Sequence, residues 1–517
     1  MGGGYLQLVS SDIDFLSRNP QISYFKSVYR QYTRFSVESI QEAANISDIS
    51  EFNDTDIRIK IPRNADLVTG LYFMFKLPAI YSGKSSTTDP RTYRFKWIEN
   101  IGANIIKEAK LIIGGEVIDT LYSEWMDVYS ELLHTVDEKA VLSKLSGNVN
   151  ELHTPEKSLG FNGHYPHICG TSTTQHERND SQGFNIITFD AASEASTIPS
   201  IPATDIKVPL PFWFHGKTGL ALPLIALQYD EVYLDITLRP IYDLYTVIDP
   251  TLGYNKRVKV TSNEDSTLGL SKFVKGYSQG GRLSISSKVE IVYGFLDENE
   301  RKRFAVNEHE YLITKLHKST QKIVSGESSF DINLVGSSPV KYIVTIPKRS
   351  DTSSLNNWNN YTNWLSKVPP YSPEYLYEDQ YYDRIAGRTP FYTKDYSTVV
   401  DFTPSNLKNN IIKNLIIKFN GSNRFEQKSN HFFEYQQPLQ HFKRNPKRGI
   451  YVYSFSLDPL NDQPTGACNF SGINVNLEGV LNLPDITDYT YQVKIDVYIV
   501  SYNILKIVSG QGGLMYS

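Results

Sequence analysis

Residues 207–240 read KVPLPFWFHGKTGLALPLIALQYDEVYLDITLRP, and this stretch decides the fold class. From Val232 onward the residues alternate strictly. Val232, Leu234, Ile236 and Leu238 point one way; Tyr233, Asp235, Thr237 and Arg239 point the other. A period of two marks a strand with one buried face. Upstream, Pro211 to Phe214 (PFWF) reads as an aromatic strand that turns at His215-Gly216-Lys217, with a second glycine at 219. Pro211 and Pro223 place their neighbourhoods at edges, strand starts or corners, because proline cannot donate to a ladder. The apolar run LALPLIAL is too short and too proline-broken to span a bilayer. The stretch predicts one wall of an antiparallel β-sandwich.

Bulk properties narrow the class. At 517 residues the chain exceeds the size at which one core keeps growing, so two domains are expected. Forty per cent apolar and 21% charged residues describe a globular protein, not a disordered one. The 35 Tyr and 25 Phe favour strands and partly wet interfaces. Fifty-two basic and 56 acidic residues leave a net charge of −4, which excludes the electrostatic footprint of direct nucleic-acid wrapping. Two cysteines, Cys169 and Cys468, cannot build a disulfide framework and fit a reducing compartment. The start, MGGGYLQLVSSDIDF, lacks the basic and apolar regions of a signal peptide, and Leu6 stands where N-myristoylation needs Ser or Thr. The expectation is a soluble protein made in the cytosol.

Along the chain, residues 1–25 read as an N-terminal arm. Phe25, Val28, Tyr29 and Tyr32 have the spacing of a short amphipathic helix before Phe35 and Val37 shift to strand periodicity. ADLVTGLYFMFKLPA (65–79) is a strand ended by Pro78, and Gly114-Gly115 make a hairpin turn. Trp125, Val128, Tyr129 and Leu132 follow at helical spacing. Residues 135–206, 250–282 and 350–410 are long, low-pattern excursions, of the kind that carry function or project outward. KVEIVYGFL (288–296) is a strand, DENERKRF a charged turn plus helix, and the domain boundary falls near 306.

After that boundary the order of blocks repeats. SPVKYIVTIPK (338–348) matches the first proline-stopped strand. NLIIKFNGSNRFEQKSNHFFEYQQPLQHF (414–442) matches KEAKLIIGGEVIDTLYSEWMDVYSELLH. GIYVYSFSLDPL with GACNFSGINVNLEGV takes the place of PFWF with LPLIALQYDEV, and VKIDVYIVSYNILKI takes the place of KVEIVYGFL. Four blocks in one order predict two similar β domains in tandem. Short strands, proline and glycine corners and few helices read as jelly-roll sandwiches.

Candidate chemistry is weak. Gly83-Lys84-Ser85 lacks the glycine a phosphate loop needs five positions earlier, where Pro78 stands, and reads as a loop. His153, His164, His167, Cys169 and His176 are zinc-type ligands within one segment. Their HxxH spacing is short and no second ligand pair of standard spacing accompanies it, so the segment reads as a histidine-bearing surface loop. Asp297, Glu298 and Glu300 beside Arg301, Lys302 and Arg303 read as a solvated, salt-bridged turn. The basic run Lys443-Arg444-Asn445-Pro446-Lys447-Arg448 suits an acidic partner or a neighbouring subunit, but an isolated cluster reads first as a soluble loop. Asn45, Asn53, Asn179, Asn360, Asn420 and Asn469 sit in N-x-S/T triplets that cytosolic synthesis leaves unmodified. No GxSxG elbow or HExxH helix occurs. No catalytic residue, cofactor-binding residue or metal ligand is assigned, and the chain is not expected to be an enzyme.

Several segments together resemble the major capsid proteins of large eukaryotic double-stranded DNA viruses, the double jelly-roll family. They are NPQISYFKSVYRQYTRFSVESI, LIIGGEVID with SEWMDVYSEL, PFWF with GLALPLIALQYDEV, VYGFLDENERKRFAVNEHEYLI, GIYVYSFSLDPLNDQPTGACNFSGINV and YNILKIVSGQGGLMYS. They span both ends and the middle of the chain in order; the three excursions lie outside the match. The resemblance implies an all-β fold of two tandem eight-stranded antiparallel jelly-roll sandwiches, with long loop insertions and a few short helices, over 26–306 and 307–517. It implies a homotrimeric, pseudo-hexameric capsomer tiling an icosahedral virion shell assembled in the host cytoplasm. Its implied partners are neighbouring capsomers, minor capsid proteins and, near the arm, an internal viral membrane. Two near-equal barrels times three give six similar wedges from one gene product. The competing reading is a carbohydrate-binding or carbohydrate-active β-sandwich, since jelly-rolls host many functions.

Overall fold

The computed structural model describes residues 19–44, 48–81, 93–153, 199–249, 256–261, 268–277, 282–324, 328–363, 409–483 and 491–516. The strand Val232–Leu238 buries Val232, Leu234, Ile236 and Leu238 and leaves the residues between them half-exposed. It pairs antiparallel with Thr55–Lys60 on one side and Ile106–Ile113 on the other. Glu116–Tyr122 completes that sheet through a hairpin turning at Gly114 (φ +59°) and Gly115 (φ +90°). Two left-handed residues are what a tight hairpin turn requires.

A second sheet runs in the order Phe35–Ala43, Lys288–Leu296, Leu67–Leu77, Thr204–Pro209. Its inward Leu71, Phe73 and Phe75 share one core with Leu111, Ile113, Leu234 and Ile236 of the first sheet. Pro78 stops Leu67–Leu77 as its sequence predicts. The helix Ser123–Leu133 forms where its spacing places it and buries Trp125, Val128 and Leu132.

The second half repeats this wiring. Its sheets run His309–Val324, Gln492–Val508, Pro339–Arg349, Tyr451–Ser454, and Ser329–Leu334, Val475–Leu481, Ile412–Phe419, Ser422–Asn423. Position for position, the order of both sheets is that of the first half, and the second hairpin turns at Asn420 (φ +48°) and Gly421 (φ +80°). Every strand pairing among the described residues stays within one half.

Four expectations need correction. PFWF is not a strand: the ladder ends at Pro209, and 211–217 turn through His215 N–H donating to Phe212 O (3.0 Å) and Lys217 N–H to Phe214 O (3.1 Å). Pro209 and Pro211 lack the donors to continue it, and Phe212, Trp213 and Phe214 are buried in the first half's core from this turn instead. Consequently the counterpart of Tyr451–Ser454 is Thr204–Pro209, the strand just before PFWF. Pro347 does not end its strand, which runs to Arg349. Beyond Thr345 no described residue pairs with the Tyr451–Ser454 flank of that strand, and an edge tolerates proline. Finally, residues 25–32 form no helix. A helix this short, with β-branched and aromatic residues and nothing to pack on, does not sustain itself.

Candidate functional site: the seam between the halves and an unpartnered arm

The two halves meet along the sheet containing Gln492–Val508 and Pro339–Arg349. In the first of these strands Val493, Ile495, Val497 and Ile499 face the second half's own core. Tyr498, Val500, Leu505 and Ile507 belong to the core of the first half. A strand buried on both faces loses polar alternation, which explains the nearly unbroken apolar run VYIVSYNIL. The helix Ser123–Leu133 lies on this face. Trp125 packs on Tyr342 (ring centroids 6.4 Å) and Tyr498 (5.6 Å), and Tyr122 also meets Tyr498 (6.2 Å).

Charges close the seam around the same helix. Glu124 is gripped by Lys348 (3.2 Å), Lys318 (3.9 Å) and Arg239 (4.0 Å). Burial pushes its carboxyl up, but these three cations outweigh burial and hold it well below the usual range. One turn on, Asp127 accepts from Tyr361 Oη (2.9 Å) and pairs with Lys447 (2.6 Å). Glu131 pairs with Arg444 (2.6 Å) and Lys139, and Lys443 reaches Glu138 (3.2 Å). The basic run 443–448, read from sequence as a soluble loop, is therefore a clamp on acidic residues of the same chain. Buried Asp119 accepts from Leu316 N–H across the seam (3.3 Å) and from Thr120 N–H (2.9 Å). Burial pushes its carboxyl up to about 6. It lines a cleft of about 480 Å³ together with Trp125, His134, Trp213, His215 and Tyr342. Burial, and then His134, pull the His215 imidazole down to about 4.

The opposite situation holds at the N-terminal side. Tyr24 is 91% exposed, Phe25 102%, and Val28, Tyr29 and Tyr32 are 83–84% exposed, with Ile22, Phe35 and Val37 also open. This segment feeds the strand Phe35–Ala43, which among the described residues pairs only with Lys288–Leu296 and lies at the edge of its sheet. So many large apolar side chains along one segment mark an interaction surface, since soluble monomers rarely expose contiguous apolar patches.

The residues singled out from sequence fare as follows. Gly83-Lys84-Ser85, His164, His167, Cys169, His176, Asn45 and Asn179 lie outside the described residues. His153 ends the short helix Asn150–His153, its imidazole pulled below its ordinary value by burial. No group of three metal-type ligands occurs among the described residues. Asp297 caps the helix Glu298–Val306 by accepting from Glu300 N–H (2.8 Å), Glu298 pairs with Lys302 (2.7 Å), and Arg301 pairs with Asp66 (2.8 Å). Asn360 and Asn469 spend their side-chain oxygens on the backbone N–H two residues on (3.0 Å each), as turn residues do. Cys468 is a half-buried free thiol. Sequence reading missed the seam's anchors Glu124, Asp127 and Glu131; the available signal was three carboxylates on a helix whose own sequence supplies no cation to pair them.

Comparison with known proteins agrees with this geometry. A family model described as the major capsid protein N-terminus matches residues 23–268, and one described as the large eukaryotic DNA virus major capsid protein matches 300–513. The chain belongs to this major capsid protein family. It is 29% identical to the major capsid protein of Phaeocystis pouchetii virus and 28% identical to that of Paramecium bursaria Chlorella virus 1, with 100% of both chains covered in each case. Among solved structures, PBCV-1 VP54 superimposes with a TM-score of 0.64 at 25% identity, covering 96% of this chain and 100% of that one. The Faustovirus major capsid protein shares the fold at a TM-score of 0.62 and 13% identity. The chain is thus a structural capsid protein of a large eukaryotic DNA virus, with the double jelly-roll fold of its neighbours. These likenesses do not favour the carbohydrate-binding alternative.

Proposed function

We propose that three copies of this chain form a pseudo-hexameric capsomer that tiles an icosahedral shell. The observation that carries this reading is the identical strand order in both halves, which supplies two similar wedges per chain. A threefold ring of such pairs imitates sixfold packing with one gene product. Residues 26–306 and 307–517 act as the two jelly-roll domains and 1–25 as an N-terminal arm, whose described end runs into the exposed stretch from Ile22 to Tyr32. Its uncovered Tyr and Phe side chains suit contact with neighbouring capsomers, with minor capsid proteins or with an internal viral membrane. Synthesis and assembly take place in the host cytoplasm, which suits a chain with only two cysteines.

The test is native mass measurement of the purified protein combined with negative-stain imaging. A species of three times the 58.8 kDa chain mass, with a hexagonal outline, is expected. A persistent monomer at micromolar concentration contradicts the reading, and glycan affinity in that monomer would revive the carbohydrate-binding alternative.

A further inference from the structure

On one flank of the seam a cleft of about 430 Å³ opens between the halves. Arg239 and Tyr122 line it from the first half, and Lys318, Lys348, Trp358 and Lys494 from the second. Two carboxylates serve four cations here. Lys348, Lys318 and Arg239 share Glu124; Lys318 (3.4 Å) and Lys494 (3.0 Å) share Asp496. Among the described residues, four positive charges against two negative leave an excess of two. The other charges on the wall cancel, because Lys107 pairs with Asp54, Glu108 with Lys110, and Arg349 with Asp351.

Arg239 makes the imbalance specific. It is 8% exposed, its Nη2 donates to Ser123 Oγ (2.8 Å), and its guanidinium lies 4.4 Å over the Trp358 ring. Among the described residues its buried Nε–H has no acceptor. A guanidinium does not shed its proton, so this donor stays charged and unsatisfied. The Trp358 face attracts the cation but offers Nε no oxygen in the plane of the guanidinium. A missing acceptor, an unmatched double positive charge and an adjoining cleft coincide at one place.

We propose that this cleft binds a small polyanion of the phosphate class, with Arg239 Nε as the inner donor and Lys318, Lys348 and Lys494 closing on it from the second half. A multiply charged anion matches the excess of two, whereas a single carboxylate from a protein partner leaves one charge unmet. The volume lies low in the ~300–1,000 Å³ range of small-molecule sites, which suits a short polyphosphate chain. Guanidinium donors favour phosphoryl oxygens by geometry as well as charge. Bound there, the anion touches both halves and ties them together.

The test uses the purified full chain, titrated with tripolyphosphate by calorimetry and followed by thermal unfolding at constant ionic strength. One-to-one saturable binding with a raised unfolding temperature is expected. Arg239→Lys keeps the charge but removes Nε, and Lys494→Gln removes one rim cation whose side chain is 36% exposed. Each is expected to weaken binding by about tenfold, the equivalent of one charge-assisted hydrogen bond. Should Arg239→Lys fail to fold, Lys494→Gln alone decides. Adenosine triphosphate binding as tightly as tripolyphosphate supports the site and points to nucleotide phosphoryl groups; its exclusion beside tripolyphosphate binding supports the site and points to free polyphosphate. Stabilisation that follows ionic strength alone overturns the proposal, as does unchanged affinity in Lys494→Gln. Preference for an acidic peptide over tripolyphosphate overturns it too, and assigns the cleft to a protein partner.

Discussion

Asp119 shows how a single side chain can tie stability to pH. Its carboxyl is raised to about 6 by burial, against ~3.9 in an unfolded chain. The folded state therefore holds the proton more tightly. The stability this contributes is fully present below pH ~4 and is lost as the pH rises through about 6, by ~3 kcal/mol at ~1.4 kcal/mol per unit. Asp119→Asn keeps an acceptor for Thr120 and Leu316 N–H but removes the titration. At pH 7.5 the variant is expected to melt at or above the parent, and at pH 4 the two should coincide; a pH-independent difference would contradict this assignment. His215, lowered to about 4, works in the opposite sense. Its contribution is present above pH ~6.5 and is lost as the pH falls through about 4, so the parent's own profile conceals both effects.

At the scale of elements, the helix Ser123–Leu133 is the hinge of the electrostatics. Its Asp127 and Glu131 carboxylates are buried, and Lys447 and Arg444 reach them from a loop more than 300 residues away in sequence. Arg444→Ala leaves Glu131 with Lys139 only. Breaking a fully buried pair costs ~3–5 kcal/mol; with Arg444 one-fifth exposed and Lys139 remaining, about 1–2 kcal/mol is expected. The denaturation midpoint of Arg444→Ala should fall accordingly and recover in Arg444→Ala/Glu131→Gln. No recovery in the double variant would mean that the loop packs there for reasons other than charge.

For the whole molecule, the seam and the arm make opposite predictions. Trp125→Ala removes the ring that joins Tyr342 and Tyr498 to the first half. A loss of ~3–5 kcal/mol is expected for a buried tryptophan, and calorimetry should show the halves melting in two steps instead of one. Removal of residues 1–34 deletes the exposed Ile22, Tyr24, Phe25, Val28, Tyr29 and Tyr32, none of which is buried in a core of its own chain. The melting temperature should stay within ~2 °C, since surface changes rarely exceed ~0.5 kcal/mol, while assembled species in native mass measurements decline. A large fall in melting temperature would show that the arm is part of the barrel.

Local pattern alone determined most of the repeating strand blocks, the glycine hairpin at 114–115, the helix at 123–133 and the charged helix after Asp297. Each depends on periodicity and turn chemistry carried by adjacent residues. Proline was less decisive: Pro78 ends a strand, while Pro347 does not, because its effect depends on whether a neighbouring strand needs the missing donor. The arm's 25–32 spacing suggested a helix that never forms, since spacing reports which face is apolar and not whether a surface exists to bury it. The seam was beyond sequence reading. Lys447 meets Asp127, and Tyr498 faces Trp125, only because two separately wired sandwiches pack side by side. Which charges and rings then touch is a property of that packing, and nothing along the chain encodes it locally.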